Sequence, residues 1–154
     1  MSADTEALVR EIIVKHKDLQ GAALPILHAV QAALGYVPES AIPIIAEALN
    51  VTRAEMHGVV TFYHDYRRAP AGRHVLKLCR AEACQAAGGH VVADRVRERL
   101  GVDFGETSAD GRVTLDAVYC LGLCATAPSA MLDGKLLGRL DQAGADKIVA
   151  EVSR

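Results

Sequence analysis

Apolar residues recur at Leu8, Val9, Ile12 and Ile13, the spacing that lines one face of a helix. A second segment of the same kind carries Leu27, Val30, Ala33 and Leu34. Pro25 suits its first turn, where the missing N–H costs nothing, and Gly35 followed by Pro38 closes it. A third helix is predicted from Ile42 to Leu49, with Asn50 as a left-handed cap. Thr52 and Glu55 then have capping-box spacing: the Thr52 hydroxyl can accept from the Glu55 N–H while the Glu55 carboxylate accepts from the Thr52 N–H. The helix opened by this box carries Met56, Val59, Val60 and Tyr63. Four short helices in a row predict a small bundle.

The pattern changes at "RRAPAGR", residues 67 to 73, where Pro70 and Gly72 mark a linker or sharp turn. This places a boundary between a helical-bundle domain, residues 1–72, and a second domain, residues 73–154. "HVLKLC" alternates as a strand ending at Cys79. From about Cys84 to Leu100 the chain reads as one helix, with Val92, Val96 and Leu100 facing inward and Gly101 at its end. An Asp110-Gly111 turn precedes a strand that begins near Val113 and ends at Cys120. "AMLDGKLLGRL" reads as a hairpin turning at Asp133-Gly134, and a last helix after Asp141 carries Ile148, Val149 and Val152. The order β-α-β-β-β-α predicts a thioredoxin-like α/β domain, and the whole chain an α+β protein.

Of the 154 residues, 51% are hydrophobic, enough to build a core. The 17 basic and 19 acidic residues are spread evenly, with no Lys/Arg stripe to follow phosphates, so no nucleic-acid partner is expected. No run of about 18 apolar residues is present, so membrane insertion is not expected. The N-terminal "MSADTEALVREIIVKHK" lacks the organisation of a secretion signal. A cytoplasmic location is therefore expected, and in a reducing compartment cysteines serve metals or redox chemistry rather than structural disulfides.

The four cysteines form a C-x4-C pair, Cys79 and Cys84, and a C-x3-C pair, Cys120 and Cys124. Both pairs fall at the C-terminal ends of predicted strands, where loops can converge. Four thiolates select zinc or iron–sulfur. The spacing leaves three readings open: a 2Fe–2S cluster, a structural zinc, and thiol redox or buried free cysteines. The last is weakened because the C-x-x-C of thioredoxin-type redox motifs is absent. The loops favour a cluster. Ala81, Ala83, Gly122 and Ala125 allow the backbone close approach, Leu121 and Leu123 can keep water off, and the Arg80 charge opposes the negative charge that reduction adds.

"CRAEAC", then "CLGLC" and "APSAM", together with the upstream "GYVPESAIPIIAEALNVTRAEMHGVVTFYHDYR", resemble the thioredoxin-like 2Fe–2S subunit family. That family is shared by NADH-quinone oxidoreductase (its E subunit), NAD-reducing hydrogenases and NAD-dependent formate dehydrogenases, and the likeness covers nearly the whole chain. The resemblance implies that Cys79, Cys84, Cys120 and Cys124 are the ligands of one 2Fe–2S cluster, one pair to each iron. It further implies an electron-transfer subunit, not catalytic alone, that exchanges electrons with the FMN of a flavoprotein subunit binding NAD(H). "ALPILHAVQAALGYVP", "AEMHGVVTFYHDYR" and "AGRHVLKLCRAEACQAAGG" look most like the gamma subunit of a cytoplasmic formate dehydrogenase. Such an assembly also holds an iron–sulfur and molybdenum catalytic subunit, with further iron–sulfur clusters and a molybdenum cofactor. Tyr119 departs from the acidic residue that complex I relatives often carry before the third cysteine. The equivalent subunit of NADH-quinone oxidoreductase or of a hydrogenase, and a structural zinc module for assembly, are the alternatives.

Other motifs add little. The six histidines lie outside the two cysteine loops and read as surface or interface groups, with His57 and His64 bracketing "GVVTFY" on the fourth helix. "VVTFYHDY" gathers Phe62, Tyr63 and Tyr66, which the simplest reading places in the bundle core and the alternative in a docking surface. "AGG" lacks dinucleotide-binding spacing, and no P-loop or nucleophile elbow is present. Pro128 is expected to shape the second cysteine loop.

Overall fold

The computed structural model describes residues 2–154. The chain falls into two compact units, one ending at Pro70 and the other spanning Ala71–Arg154.

The first unit is helical: α1 (Ala3–His16), α2 (Ala23–Leu34), α3 (Ala41–Ala48) and α4 (Arg53–Phe62). Its core is built from the periodic positions, including Val9, Ile12, Ile13, Leu27, Val30, Ile45, Met56 and Val60. Gly35 ends α2 at φ 80°, and Asn50 takes the left-handed conformation at φ 54° after α3. Both halves of the Thr52–Glu55 capping box are formed, with the Glu55 N–H donating to Thr52 Oγ1 at 3.1 Å and the Thr52 N–H to Glu55 Oε2 at 2.7 Å. After α4 the chain folds back onto α2 through Gln31. Its Nε2 donates to the Asp65 carbonyl, and its Oε1 accepts from the Arg67 N–H, each at 2.7 Å.

The aromatic segment divides between core and surface. Tyr66 is buried, its ring beside His28 and its hydroxyl donating to the Leu24 carbonyl. Phe62, however, is 73% exposed and Tyr63 is exposed as well, contrary to the simple core reading. Phe62, two residues past Val60, lies on the face of α4 away from buried Met56 and Val60, and Tyr63 is exposed because of where α4 stops. Tyr63 caps it in an extended conformation (φ −88°, ψ 100°), so Tyr63 and His64 lie beyond the helix and off its buried face.

The second unit is a five-stranded sheet with helices. Its elements are β1 (His74–Cys79), α5 (Glu82–Ala86), α6 (Gly89–Leu100), β2 (Glu106–Thr107), β3 (Val113–Val118), β4 (Ala130–Leu132), β5 (Lys135–Leu137) and α7 (Gln142–Val152). The sheet order is β2-β3-β1-β4-β5. β1 and β3 are parallel, from His74 opposite Val113 to Cys79 opposite Val118, and the other pairings are antiparallel. Leu76, Leu78 and Leu115 from the sheet share a core with Val92 and Val96 of α6 and Ile148, Val149 and Val152 of α7. Arg95 of α6 donates to both carboxylate oxygens of Asp146 on α7, at 3.0 and 3.2 Å. The β4–β5 turn has Asp133 at φ 50° and Gly134 at φ 84°, the left-handed pair that a two-residue hairpin requires.

Three expectations for this second unit change. The helix predicted from Cys84 to Leu100 is two helices, broken where Gly88 turns left-handed at φ 86°. β2 is an additional two-residue strand, held by pairing with β3 rather than by any local pattern. β3 stops at Val118, because Cys120 has φ 126° and cannot continue an extended strand. Among the described residues no helix is long and apolar enough to cross a membrane.

Candidate metal centre

The parallel strands β1 and β3 deliver the cysteine loops to the same end of the sheet, past the C-termini of both strands. Cys79 is the last residue of β1, and its N–H donates to the Ser129 carbonyl at 3.0 Å. The next N–H, of Arg80, donates to the Val118 carbonyl at 2.7 Å, so the two strands stay joined up to the point where both loops begin. Cys84 is buried within the short helix α5. Gly89 seats it: a Cβ there would stand 2.6 Å from the Cys84 carbonyl oxygen.

The second loop is more open. Cys120 and Cys124 are both exposed, with their Sγ atoms 3.7 Å apart. Gly122, left-handed at φ 76°, turns its N–H onto Cys120 Sγ at 3.3 Å. Cys124 opens a 3-10 turn, Cys124–Thr126, whose Thr126 carbonyl accepts from the Arg139 N–H at 2.6 Å. The Ala127–Pro128 peptide just beyond it is cis.

The two loops meet at sulfur. Burial pushes the Cys79 thiol up, but hydrogen bonds from the Ala81 N–H, the Cys84 thiol, the Leu121 N–H and the Ser129 hydroxyl outweigh it and leave the thiol more acidic than usual. Leu121 belongs to the second loop and Cys79 to the first. The Cys124 thiol is pushed up, foremost by its hydrogen bond and charge interaction with Cys120, then by burial and by the charges of Cys84 and Cys79. Four thiols thus sense one another, as two neighbouring pairs. Among the described residues no three His, Cys, Asp or Glu side chains converge closely enough to hold a single metal ion. A pair at 3.7 Å is the separation of two sulfurs on one tetrahedral metal with metal–sulfur bonds of about 2.3 Å.

The donor set fits a sulfur-ligated metal centre. All four cysteines are free, the Gly122 N–H donates to Cys120 Sγ, and the apolar residues of the loops are half-buried. Two buried side-chain donors, Arg80 Nε and Gln85 Nε2, have no acceptor, and each follows a cysteine by one residue. Ser129 is the site residue that spacing alone does not reveal: 3% exposed, it places its hydroxyl 3.5 Å from Cys84 Sγ. The only hint of it is its place after Pro128 in "APSAM". The histidines stand apart, with His16 on the Ile12 carbonyl, His74 on Asp133 and His57, His64 and His90 exposed.

Comparison with known proteins finds relatives along most of the chain. A sequence model of the thioredoxin-like 2Fe-2S ferredoxin family matches residues 9–153. The E subunit of the NADH-quinone oxidoreductase of Pseudomonas aeruginosa is 37% identical over 134 residues, which cover 87% of this chain and 81% of that protein. HndA, a subunit of the NADP-reducing hydrogenase of Solidesulfovibrio fructosivorans, is 32% identical over 149 residues, covering 95% of this chain and 87% of that one. Among solved structures, the crystal structure of an NAD+-reducing NiFe-hydrogenase in the H2-reduced state superposes with a TM-score of 0.72 at 23% identity. It covers 85% of this chain and 22% of the other, a likeness of fold.

Proposed function

This chain belongs to the thioredoxin-like 2Fe-2S ferredoxin family, and on that premise we propose that it is the electron-transfer subunit of an NAD(P)-linked oxidoreductase assembly. Cys79 and Cys84 would hold one iron of a 2Fe–2S cluster, and Cys120 and Cys124 the other. When bound, such a cluster takes up and gives back one electron at a time. The observation that carries the reading is the meeting of the two loops: paired β1 and β3 run side by side to Cys79 and Val118, the Arg80 N–H bonds the Val118 carbonyl where both loops begin, and Cys120 and Cys124 pair at 3.7 Å.

This chain's residues shape that site in three ways. The Gly122 N–H opposes negative charge on the Cys120 sulfur. Burial of Cys79 and Cys84 excludes water from one side, and exposure of Cys120 and Cys124 opens the other to a partner. In this reading the chain carries electrons for a partner and is not catalytic by itself.

The partner is a flavoprotein subunit that binds FMN and NAD(H), by analogy with the assemblies named for the relatives. Within that class we place the chain in an NAD-dependent formate dehydrogenase, beside an iron–sulfur and molybdenum catalytic subunit. Tyr119 before the third cysteine, and the segments "AEMHGVVTFYHDYR" and "AGRHVLKLCRAEACQAAGG", support this choice over the corresponding subunit of NADH-quinone oxidoreductase or of a hydrogenase. The cytoplasm, a reducing compartment, suits four free thiols. In this reading residues 73–154 carry the cluster and the bundle of residues 1–72 serves subunit contact. Isolating the intact assembly from its native host and identifying the co-purifying subunits tests the reading. A flavoprotein and a molybdenum subunit with formate-dependent NAD+ reduction are expected. Co-purification with quinone-reductase or hydrogenase subunits would reassign the assembly, and purification with no flavoprotein would end the proposal.

A further inference from the structure

Arg80 is the one basic side chain in either cysteine loop, residues 79–84 and 120–124, and the one acid there, Glu82, is exposed. Its backbone is pinned by the Val118 carbonyl directly after Cys79. Its guanidinium carbon sits 4.8 Å from the centre of the Phe104 ring, within cation–π range. Its Nε is buried without an acceptor, which is uncommon for a folded chain and leaves a donor to spare. The acid that feels its charge, Asp103, already accepts through both carboxylate oxygens from Nε and Nη2 of Arg97, at 2.9 and 2.7 Å. The Arg80 charge is therefore held in place but not consumed. Next to it in the chain stands Cys79, whose sulfur would carry part of the negative charge of the centre.

We propose that Arg80, clamped on the Phe104 ring, is a positioning residue that raises the reduction potential of the cysteine-held centre, an inference that rests on the 2Fe–2S assignment above. Reduction adds one negative charge, so a fixed cation stabilises the reduced form more than the oxidised one. The ring holds that cation partly away from water, where screening is weaker. A unit charge within about 10 Å at an effective dielectric near 20 changes a one-electron equilibrium by roughly tenfold.

The test is an EPR-monitored redox titration of the cluster-loaded full chain and three variants. Arg80→Gln should lower the reduced-to-oxidised ratio at a fixed potential about tenfold, a midpoint about 59 mV more negative for one electron. Arg80→Lys should restore most of the difference, and Phe104→Leu, which keeps the charge but frees it, should fall between. An Arg80→Gln midpoint equal to wild type, or an Arg80→Lys shift as large as that of Arg80→Gln, overturns the inference. If Arg80→Gln does not load, Phe104→Leu decides, and a wild-type midpoint there overturns it equally. A wild-type chain with no reduced-state EPR signal would instead defeat the cluster assignment itself, so the two failures are distinct.

Discussion

Gly89 stands where a side chain would collide with the main chain of Cys84. An alanine Cβ at this position would be 2.6 Å from the Cys84 carbonyl oxygen and 3.0 Å from its carbonyl carbon. Ordinary contact begins near 3.4 Å, so the carbonyl must retreat by about 0.8 Å. The displaced atoms are backbone and cannot swing aside as a flexible side chain would. Overpacking of this kind costs roughly 1–3 kcal/mol, offset in part by the better helix propensity of alanine, which is worth at most about 1 kcal/mol. A larger effect is expected on the site, because a ligand constellation tolerates only about 0.5 Å of misplacement. Gly88→Ala is the control: it forces an L-residue into φ 86°, at a cost of about 1–2 kcal/mol, but meets nothing within 4 Å. Urea denaturation with iron content per chain separates the two. Both variants should lose stability, and only Gly89→Ala should also lose iron or change the visible spectrum. Equal iron retention in both would refute the argument that Gly89 seats Cys84.

Three further outcomes follow from particular residues. Cys84→Ser and Cys120→Ser, near-isosteric changes in the buried and exposed pairs, should each lose or alter the visible and EPR spectra, and an unchanged spectrum in either removes that residue from the ligand set. The Asp110 carboxyl is lowered from 3.8 to about 2 by the Ser108 hydroxyl, the Arg112 N–H and the Arg112 guanidinium. A depressed folded-state pKa contributes stability above pH 3.8 that drains away as pH falls toward about 2. Thermal melts from pH 5 downward should therefore show a weaker acid dependence in Asp110→Asn, and superimposable pH profiles would contradict it. Phe62→Ser, at a side chain 73% exposed, should change unfolding free energy by no more than about 0.5 kcal/mol yet weaken retention of the flavoprotein in co-purification. Undiminished retention would assign Phe62 no part in docking.

What could be read from the sequence was local. The 3.6-residue spacing of Leu8, Val9, Ile12 and Ile13, the Thr52–Glu55 box and the Asp133-Gly134 turn each specify their conformation within a few residues, and each forms as expected. The break at Gly88 is local as well, a Gly88-Gly89 pair four and five residues after Cys84, but the helical period of Val92, Val96 and Leu100 masks it. β2 owes its two residues to β3 and has no period of its own. Phe62 and Tyr63 read as core by composition, but composition does not say that Phe62 falls on the face away from Met56 and Val60 or that α4 ends before Tyr63. At the site, spacing named the four cysteines and strand alternation placed Cys79 at a strand end. Ser129 and the Phe104 clamp on Arg80 come from distant parts of the chain and leave no spacing signal.

The most direct measurement of the central claim is iron, zinc and acid-labile sulfide per chain, taken with the EPR spectrum of the anaerobically purified, dithionite-reduced protein. The account requires two irons and two sulfides per chain and a signal that appears on reduction. A colourless protein with one zinc, no sulfide and no signal would contradict it.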